Sequence, residues 1–302
     1  MDKENLVLVV CPRCQSSLIQ SKNILICKRC GAQYAIYDGI PILLQNGSTK
    51  DVKISQKKWD IQYSNLKEVE KFVSDPMIVS QRDFLNSYKS KIKNHVLLDL
   101  GCGVAWQSLF LAKEASQIIG IDISQEAVRK SNALFKKNKE KAVFIQADFL
   151  HIPLKDKSVD VIYWGLALEY VKDTERAIKE TYRVLKPDGL IIAPFPPISL
   201  TTFFYHQLRG GDIPRIPVLG SFIEYIHVKV LNGKYMHFGY GQTFTTRYIK
   251  NIFEKTGFTV NEIGYYNTYY PLVLVPSILR SSLRGILKFR PFWPFAYIEA
   301  TK

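Results

Sequence analysis

Two groups of residues in this 302-residue chain have the types and spacing for chemistry. The first is Cys11-Pro12-Arg13-Cys14 with Cys27-Lys28-Arg29-Cys30-Gly31, two C-x2-C pairs with twelve residues between them. Cysteines at this spacing can grip one ion from a tight turn, and Gly31 lets the backbone aim amides at the thiolates. Four thiolates close a tetrahedral shell and leave no open position, so Cys11, Cys14, Cys27 and Cys30 are the expected ligands of structural zinc. The competing use of the same cysteines is a redox or disulfide pair. The second group is Val96-Leu97-Leu98-Asp99-Leu100-Gly101-Cys102-Gly103. There an apolar run ends by delivering a carboxylate, Asp99, to a glycine loop.

Glycine loops after a strand usually cradle phosphate, and a carboxylate repels phosphate. A dinucleotide loop also requires Gly or Ala at the sixth position of its motif, which here is Trp106. A ligand with a sulfonium and an ammonium and no phosphate suits an acid in that place. S-adenosylmethionine (SAM) is such a ligand. Further acids follow. Asp122 in Gly120-Ile121-Asp122-Ile123 lies about 20 residues beyond the loop, the spacing for two ribose hydroxyls. Asp148 in Ala147-Asp148-Phe149 can accept from an adenine amino group while Phe149 packs on the ring. Tyr163-Trp164-Gly165-Leu166 closes a fourth strand.

Elements that would position these groups can be read from pattern. Strands are expected at 96–100, 116–122, 142–146, 159–164, 190–193, 258–263 and 296–300. Helices are expected at 56–72, 75–93, 106–115, 124–138, 174–185 and from Phe244 to Gly257, with Lys186-Pro187-Asp188-Gly189 as the turn from the 174–185 helix into the 190–193 strand. Ser124 is a capping residue with an acid, Glu126, in the first turn. Strands alternating with amphipathic helices mean a mainly parallel sheet, whose C-terminal edge would carry all four sites. Residues 1–46 read as a small β-rich module that cannot fold on its own core and needs its metal. Residues 47–94 read as a linker and capping helices, and 95–302 as the main domain, with loosely patterned inserts at about 194–242 and 264–292.

Residues 96–193 resemble a class I SAM-dependent methyltransferase of the ubiquinone/menaquinone-type, methyltransferase type 11 group. The resemblance rests on Leu98-Asp99-Leu100-Gly101-Cys102-Gly103, Gly120-Ile121-Asp122-Ile123-Ser124, Ala147-Asp148, Val159-Asp160-Val161-Ile162 and Arg183-Val184-Leu185-Lys186-Pro187-Asp188-Gly189. It implies a Rossmann-like, doubly wound, mainly parallel seven-stranded α/β sheet. It also implies cofactor contacts at Asp99, Gly101, Gly103, Asp122, Ile123, Asp148, Phe149 and Trp164. Cys102 is then a loop residue without a nucleophilic role. The chain departs from the family at Ala105, where the loop's third glycine would stand, and at Tyr170, where a His is common. Residues 1–46, ending in Gly39-Ile40-Pro41-Ile42-Leu43-Leu44, resemble the zinc ribbons that occur alone as methyltransferase activators or fused to methyltransferases.

The net charge of +14 fits a phosphate-bearing partner, either nucleic acid or an anionic membrane. No export signal or membrane-spanning run is read, so the cytoplasm is the expected compartment. Methyl transfer needs alignment more than a universal base. His206 and His237 are the candidates for a base, and Trp59 and Tyr63 for a lid over the cofactor. No Asn/Asp-Pro-Pro-Tyr follows the fourth strand, which argues against methylation of a base or Gln nitrogen. Along 271–290, Val275, Leu279, Leu283 and Ile286 share a helical face beside Arg280, Arg284 and Lys288. That stripe fits peripheral contact with the inner membrane face. The expected acceptor is a small-molecule or lipid-linked metabolite. The alternatives are an rRNA base and a scaffold that holds SAM without turnover.

Overall fold

The computed structural model describes residues 3–45, 50–69, 81–209, 216–226, 241–266 and 285–302. Two sheets organise them. A four-stranded antiparallel sheet, order β1-β2-β3-β4, comprises Leu18–Ser21, Ile24–Cys27, Gln33–Tyr37 and Ile40–Pro41. A seven-stranded sheet comprises β5 (Val96–Leu100), β6 (Gln117–Asp122), β7 (Val143–Gln146), β8 (Val159–Tyr163), β9 (Leu185–Phe195), β10 (Thr259–Tyr265) and β11 (Ala296–Thr301). Its order is β10-β11-β9-β8-β5-β6-β7. The five strands β5 to β9 are parallel, and β10 and β11 close one side antiparallel.

Both faces of this sheet are covered, so β5, β6 and β8 read as near-continuous apolar runs. Leu97, Leu98 and Leu100 are fully buried. Strand order reverses between β5 and β8, which opens a crevice at the strands' C-terminal ends. The helix ends follow their chemistry. Ser124 caps the Gln125–Lys137 helix by accepting from Ala127 N at 3.1 Å. Asp173 caps Thr174–Val184 through Arg176 N at 3.1 Å. Thr245 opens Thr246–Thr256 by accepting from Tyr248 N, and left-handed Gly257 ends it.

Some boundaries differ from the sequence expectation. The first capping helix is Lys50–Ser64, earlier than 56–72. The 75–93 segment resolves into two short helices, Arg82–Asn86 and Lys89–Ile92, with 70–80 outside the described residues. Lys186-Pro187-Asp188-Gly189 is not a turn before a strand. It is a bulge within β9, which pairs with β8 at Val159↔Leu185 and then at Val161↔Leu190.

The cysteine module shares one core with the large sheet. Val9, Leu18, Leu25, Tyr34 and Leu43 belong to the same buried cluster as Leu98, Ile121, Ile145 and Leu154. Val10 N donates to Pro153 O at 2.9 Å, and Lys155 N to Leu8 O at 2.9 Å. Past β4, Ile42 bridges Gln146 in parallel, and Leu43 N donates to Gln146 O at 2.8 Å. The Gly39–Leu44 tail therefore covers the open edge of β7, an edge that would otherwise expose unpaired backbone groups.

Candidate active site

The glycine loop owes its shape to three positive-φ residues, Gly101 (69°), Gly103 (54°) and Ala105 (51°). A Cβ at Gly101 would lie 2.4 Å from the Ala167 Cβ, and one at Gly103 would lie 2.5 Å from the Tyr63 Oη. Glycine is thus required at both positions. Ala105 holds the same left-handed conformation at a cost of about 1 kcal/mol. It directly precedes the Trp106–Leu111 helix, so the family's third glycine position is retained in geometry though not in residue type.

Asp122, at the end of β6, is 6% exposed and braces this loop. It accepts from Gly103 N at 3.0 Å and from Ser124 N at 2.9 Å. Asp99, at the end of β5, is 1% exposed and accepts a short hydrogen bond from Ser108 Oγ. Burial raises the Asp99 carboxyl to about 7 and the Asp122 carboxyl to about 6. Each acid also adds to the cost of ionising the other or of a near neighbour. Asp122 raises Asp99, and Asp60 raises Asp122. Asp148 is pushed upward by burial too, while its side chain accepts from Leu150 N at 3.1 Å.

These groups surround a cavity of about 430 Å³ at the crevice between β5 and β8. Gly101, Gly103, Asp122, Ile123, Asp148 and Phe149 all line it, from three separate strand ends. Asp99 and Trp164 do not. Asp99 lies behind the loop, held by Ser108. Trp164 is fully buried behind Phe149, with ring centroids 5.7 Å apart in an edge-on contact. The Lys50–Ser64 helix supplies the outer wall through Trp59 and Tyr63, whose rings are 6.0 Å apart. Trp59 also packs edge-on against Tyr170 at 4.9 Å. Asp60, on the same helix, accepts from Ser124 Oγ at 2.6 Å and so fastens this wall to the end of β6.

The donor set fits a cationic nucleoside without phosphate. Four buried or half-buried carboxyls, Asp99, Asp122, Asp148 and Glu169, face or flank the cavity, and its only lysine among the described residues, Lys172, is exposed. A bound positive charge would relieve the cost that burial imposes on the carboxylates.

Sequence reasoning missed several wall residues. Leu166 adopts φ 53°, a strained conformation for a branched side chain, at the cavity wall. Glu169 is 3% exposed and lines the cavity as well. Gln81 joins the wall and accepts from Tyr266 Oη at 2.8 Å. No periodic signal marks these residues, because they meet only through the fold. His206 is buried on the Leu200–Arg209 helix and does not line the cavity. His237 and residues 271–284 lie outside the described residues.

The four cysteines of the N-terminal module converge. Their Sγ atoms all lie within 4.8 Å of one another, with Cys14–Cys27 at 3.4 Å and Cys11–Cys30 at 3.8 Å. Metal–sulfur bonds of about 2.3 Å around a tetrahedron require sulfurs about 3.8 Å apart, so these thiols fit one zinc-sized ion. Cys30 N donates to Cys27 Sγ, and Gly31 takes φ 69° to make that turn.

Comparison with known proteins fits this geometry. Residues 98–193 match the methyltransferase domain family. A demethylmenaquinone methyltransferase of Lactobacillus johnsonii is 35% identical over 109 residues, 34% of this chain and 45% of that protein. A malonyl-(acyl-carrier protein) O-methyltransferase of Hamiltonella defensa is 28% identical over 101 residues, 33% of this chain and 38% of that one. The chain thus spans less than half the length of these curated relatives. Magnesium protoporphyrin IX methyltransferase from Synechocystis PCC 6803, solved with bound SAH, shares the fold at TM-score 0.55 and 15% identity, over 84% of this chain and 100% of that one. Residues 98–193 are therefore a methyltransferase domain of the SAM-dependent type 11 group.

Proposed function

We propose that the protein moves the methyl group of SAM to a small-molecule or lipid-linked acceptor in the cytoplasm, with zinc holding its N-terminal ribbon. The observation that carries this reading is the joining of Gly101, Gly103, Asp122, Asp148 and Phe149 on one cavity from three strand ends. Asp122 would take the ribose hydroxyls and Asp148 the adenine amino group. Ile123 and Phe149 would sandwich the base, with Trp164 supporting Phe149. Asp99 would act through the loop, its charge favouring the cationic end of the cofactor. The bound cofactor supplies the electrophilic methyl group. Trp59 and Tyr63 would close over it and exclude water, which strengthens every charge interaction beneath them. Cys11, Cys14, Cys27 and Cys30 would hold the zinc.

The acceptor side is apolar, which favours a metabolite over a nucleic acid strand. Val52, Leu166, Val171 and Phe295 line it. A lipid-linked acceptor is supported by apolar side chains exposed on segments that neighbour one another, Phe204 on Leu200–Arg209, Val218 and Phe222 on Pro217–Tyr225, and Phe289 just before the 290–292 turn. Exposed Lys288 and Arg290 flank Phe289 in the sequence, and the basic stripe read along 271–290 would serve as a peripheral contact with an anionic membrane. Among the described residues no helix is long and apolar enough to cross a membrane.

The test uses methyl-labelled SAM, the protein and a host-cell lysate, separated into RNA, organic-soluble and small aqueous fractions. Label is expected in the organic or small-molecule fraction. Label in RNA that ribonuclease removes would replace this reading with an rRNA methyltransferase. Retained SAM binding with no labelled fraction would point to a scaffold.

A further inference from the structure

Glu169 occupies a place that the cofactor does not explain. It lies in the short Leu168–Tyr170 turn after β8, lines the cavity and is 3% exposed. Its Oε2 is buried and has no hydrogen-bond partner among the described residues. A buried carboxyl oxygen left without a partner is costly, and such orphans call for a ligand. The backbone around it is clamped. Gln242 N donates to Glu169 O at 2.8 Å, Gln242 Nε2 donates to Val171 O at 2.9 Å, and a Cβ at Gly241 would strike Glu169 O at 2.2 Å. The same segment abuts the cofactor loop, since a Cβ at Gly101 would meet Ala167, two residues before Glu169. The neighbouring wall at Trp59, Leu166 and Val171 is apolar or aromatic.

We propose that Glu169 is a catalytic residue that binds the methyl acceptor and takes its proton, and that the acceptor is a neutral, largely apolar molecule presenting an O–H or N–H. This deepens the methyltransferase reading and rests on it. In the step, the acceptor's O or N forms a bond to the methyl carbon as the carbon–sulfur bond breaks. The electron pair of that bond stays on sulfur, which becomes a neutral thioether. The acceptor's proton passes to the Glu169 carboxylate and then to solvent. An acceptor that is itself a carboxylate would be repelled.

Burial alone places the Glu169 carboxyl at about 8, with only its own backbone amide opposing. That is close to the working pH of a general base. The titratable groups sharing the cavity with it are Asp122, Asp148, Tyr63, Cys102 and Tyr170, with Lys172 and Asp173 at the rim. A sulfonium arriving beside Glu169 would favour its charged form and lower its titration midpoint.

The experiment follows the Glu169 side chain by carbon-13 NMR of glutamate-labelled full-length protein, assigned by its loss in Glu169→Gln. The midpoint is expected near 8 in the free protein, lower with SAM, and close to the free value with SAH, which lacks the positive charge. Equal midpoints with SAM and SAH would overturn the proposal. In the lysate assay, Glu169→Gln should lower methyl transfer about 100-fold or more while calorimetric SAH affinity stays within about twofold. Unchanged transfer would also overturn the proposal. If Glu169→Gln melts early, Glu169→Asp replaces it, with the carboxyl and its titration retained and transfer reduced. A wild-type protein that binds neither SAM nor SAH would overturn the cofactor reading, and this one with it.

Discussion

The ribbon and the cavity gather their functional groups by opposite routes. The ribbon draws four thiols from two turns, Cys14 and Cys27 meeting across 13 residues of chain. The cavity draws Gly103 and Asp122 from positions 19 residues apart, adds Asp148 from a third strand, and needs Trp59 and Tyr63 from a helix before the sheet. A closed site built from local turns can be specified by spacing. An open one depends on strand order, because only the reversal between β5 and β8 turns separate strand ends into walls of one crevice. The two regions also differ in independence. The ribbon's core is continuous with the sheet's, so the local site is carried by a non-local one.

The largest expected effect comes from breaking the closed site. Cys27→Ser, or stripping the metal with a chelator, should unfold the ribbon and expose the β7 edge it covers. Circular dichroism melting should show a large loss of stability, with aggregation, and about one zinc should be lost per chain. A metal-free protein that melted normally would mean that the shared core suffices without the ion.

Next is the open site. Asp122→Ala removes the acceptor for Gly103 N and Ser124 N as well as the proposed ribose contacts. SAM affinity by calorimetry should fall about 100-fold or more, equivalent to the loss of two charge-assisted hydrogen bonds. The fold should survive, since the carboxylate is buried at an energetic cost. Unchanged affinity would remove Asp122 from the cofactor site.

A pH effect of intermediate size separates the two regions further. In the free protein Asp99 and Asp122 sit above their ordinary value of 3.8, at about 7 and about 6. The neutral forms are therefore favoured by folding. The stability this lends is complete below about pH 4 and is lost as pH climbs towards 7, because the unfolded chain ionises first. A cationic ligand reverses the preference. SAM binding should release protons between about pH 5.5 and 7.5 and tighten across that window by roughly tenfold. Calorimetry in buffers of different ionisation enthalpy measures the release, and binding without protons would sink the carboxylate assignment.

The smallest effect sharpens the account of the loop. Ala105→Gly should relieve the left-handed strain at φ 51°. Part of that gain is offset by the extra freedom of glycine in the unfolded chain, leaving about 0.5 kcal/mol of stabilisation by urea melting. A destabilised variant would show that the Ala105 methyl group contributes packing in its buried site.

Much of the architecture was legible because it repeats. Buried parallel strands read as apolar runs, and Ser124, Asp173 and Thr245 marked helix starts through ordinary capping chemistry. The bulge at 186–189 was read as a turn, because Pro187 and Gly189 carry the same local signal in either setting. Trp164 was expected against the cofactor, but its side chain falls on the core side behind Phe149. Which face a residue takes depends on strand alternation and on what covers it. Leu166, Glu169 and Gln81 left no signal at all, since their roles arise from chain segments distant in sequence.

By itself the sequence determined the parts. It specified the four-thiol spacing, the acid-bearing glycine loop, the acids at the ends of the next strands, and the alternation that builds a parallel sheet. These rest on local geometry, over which a few residues dictate a turn, a cap or a strand. Only the tertiary structure decided that the ribbon tail seals the edge of β7, that Asp99 stands behind the loop while Asp122 faces the cavity, and that Glu169 sits in its wall. Those outcomes come from long-range packing, where burial and strand order set what each side chain meets.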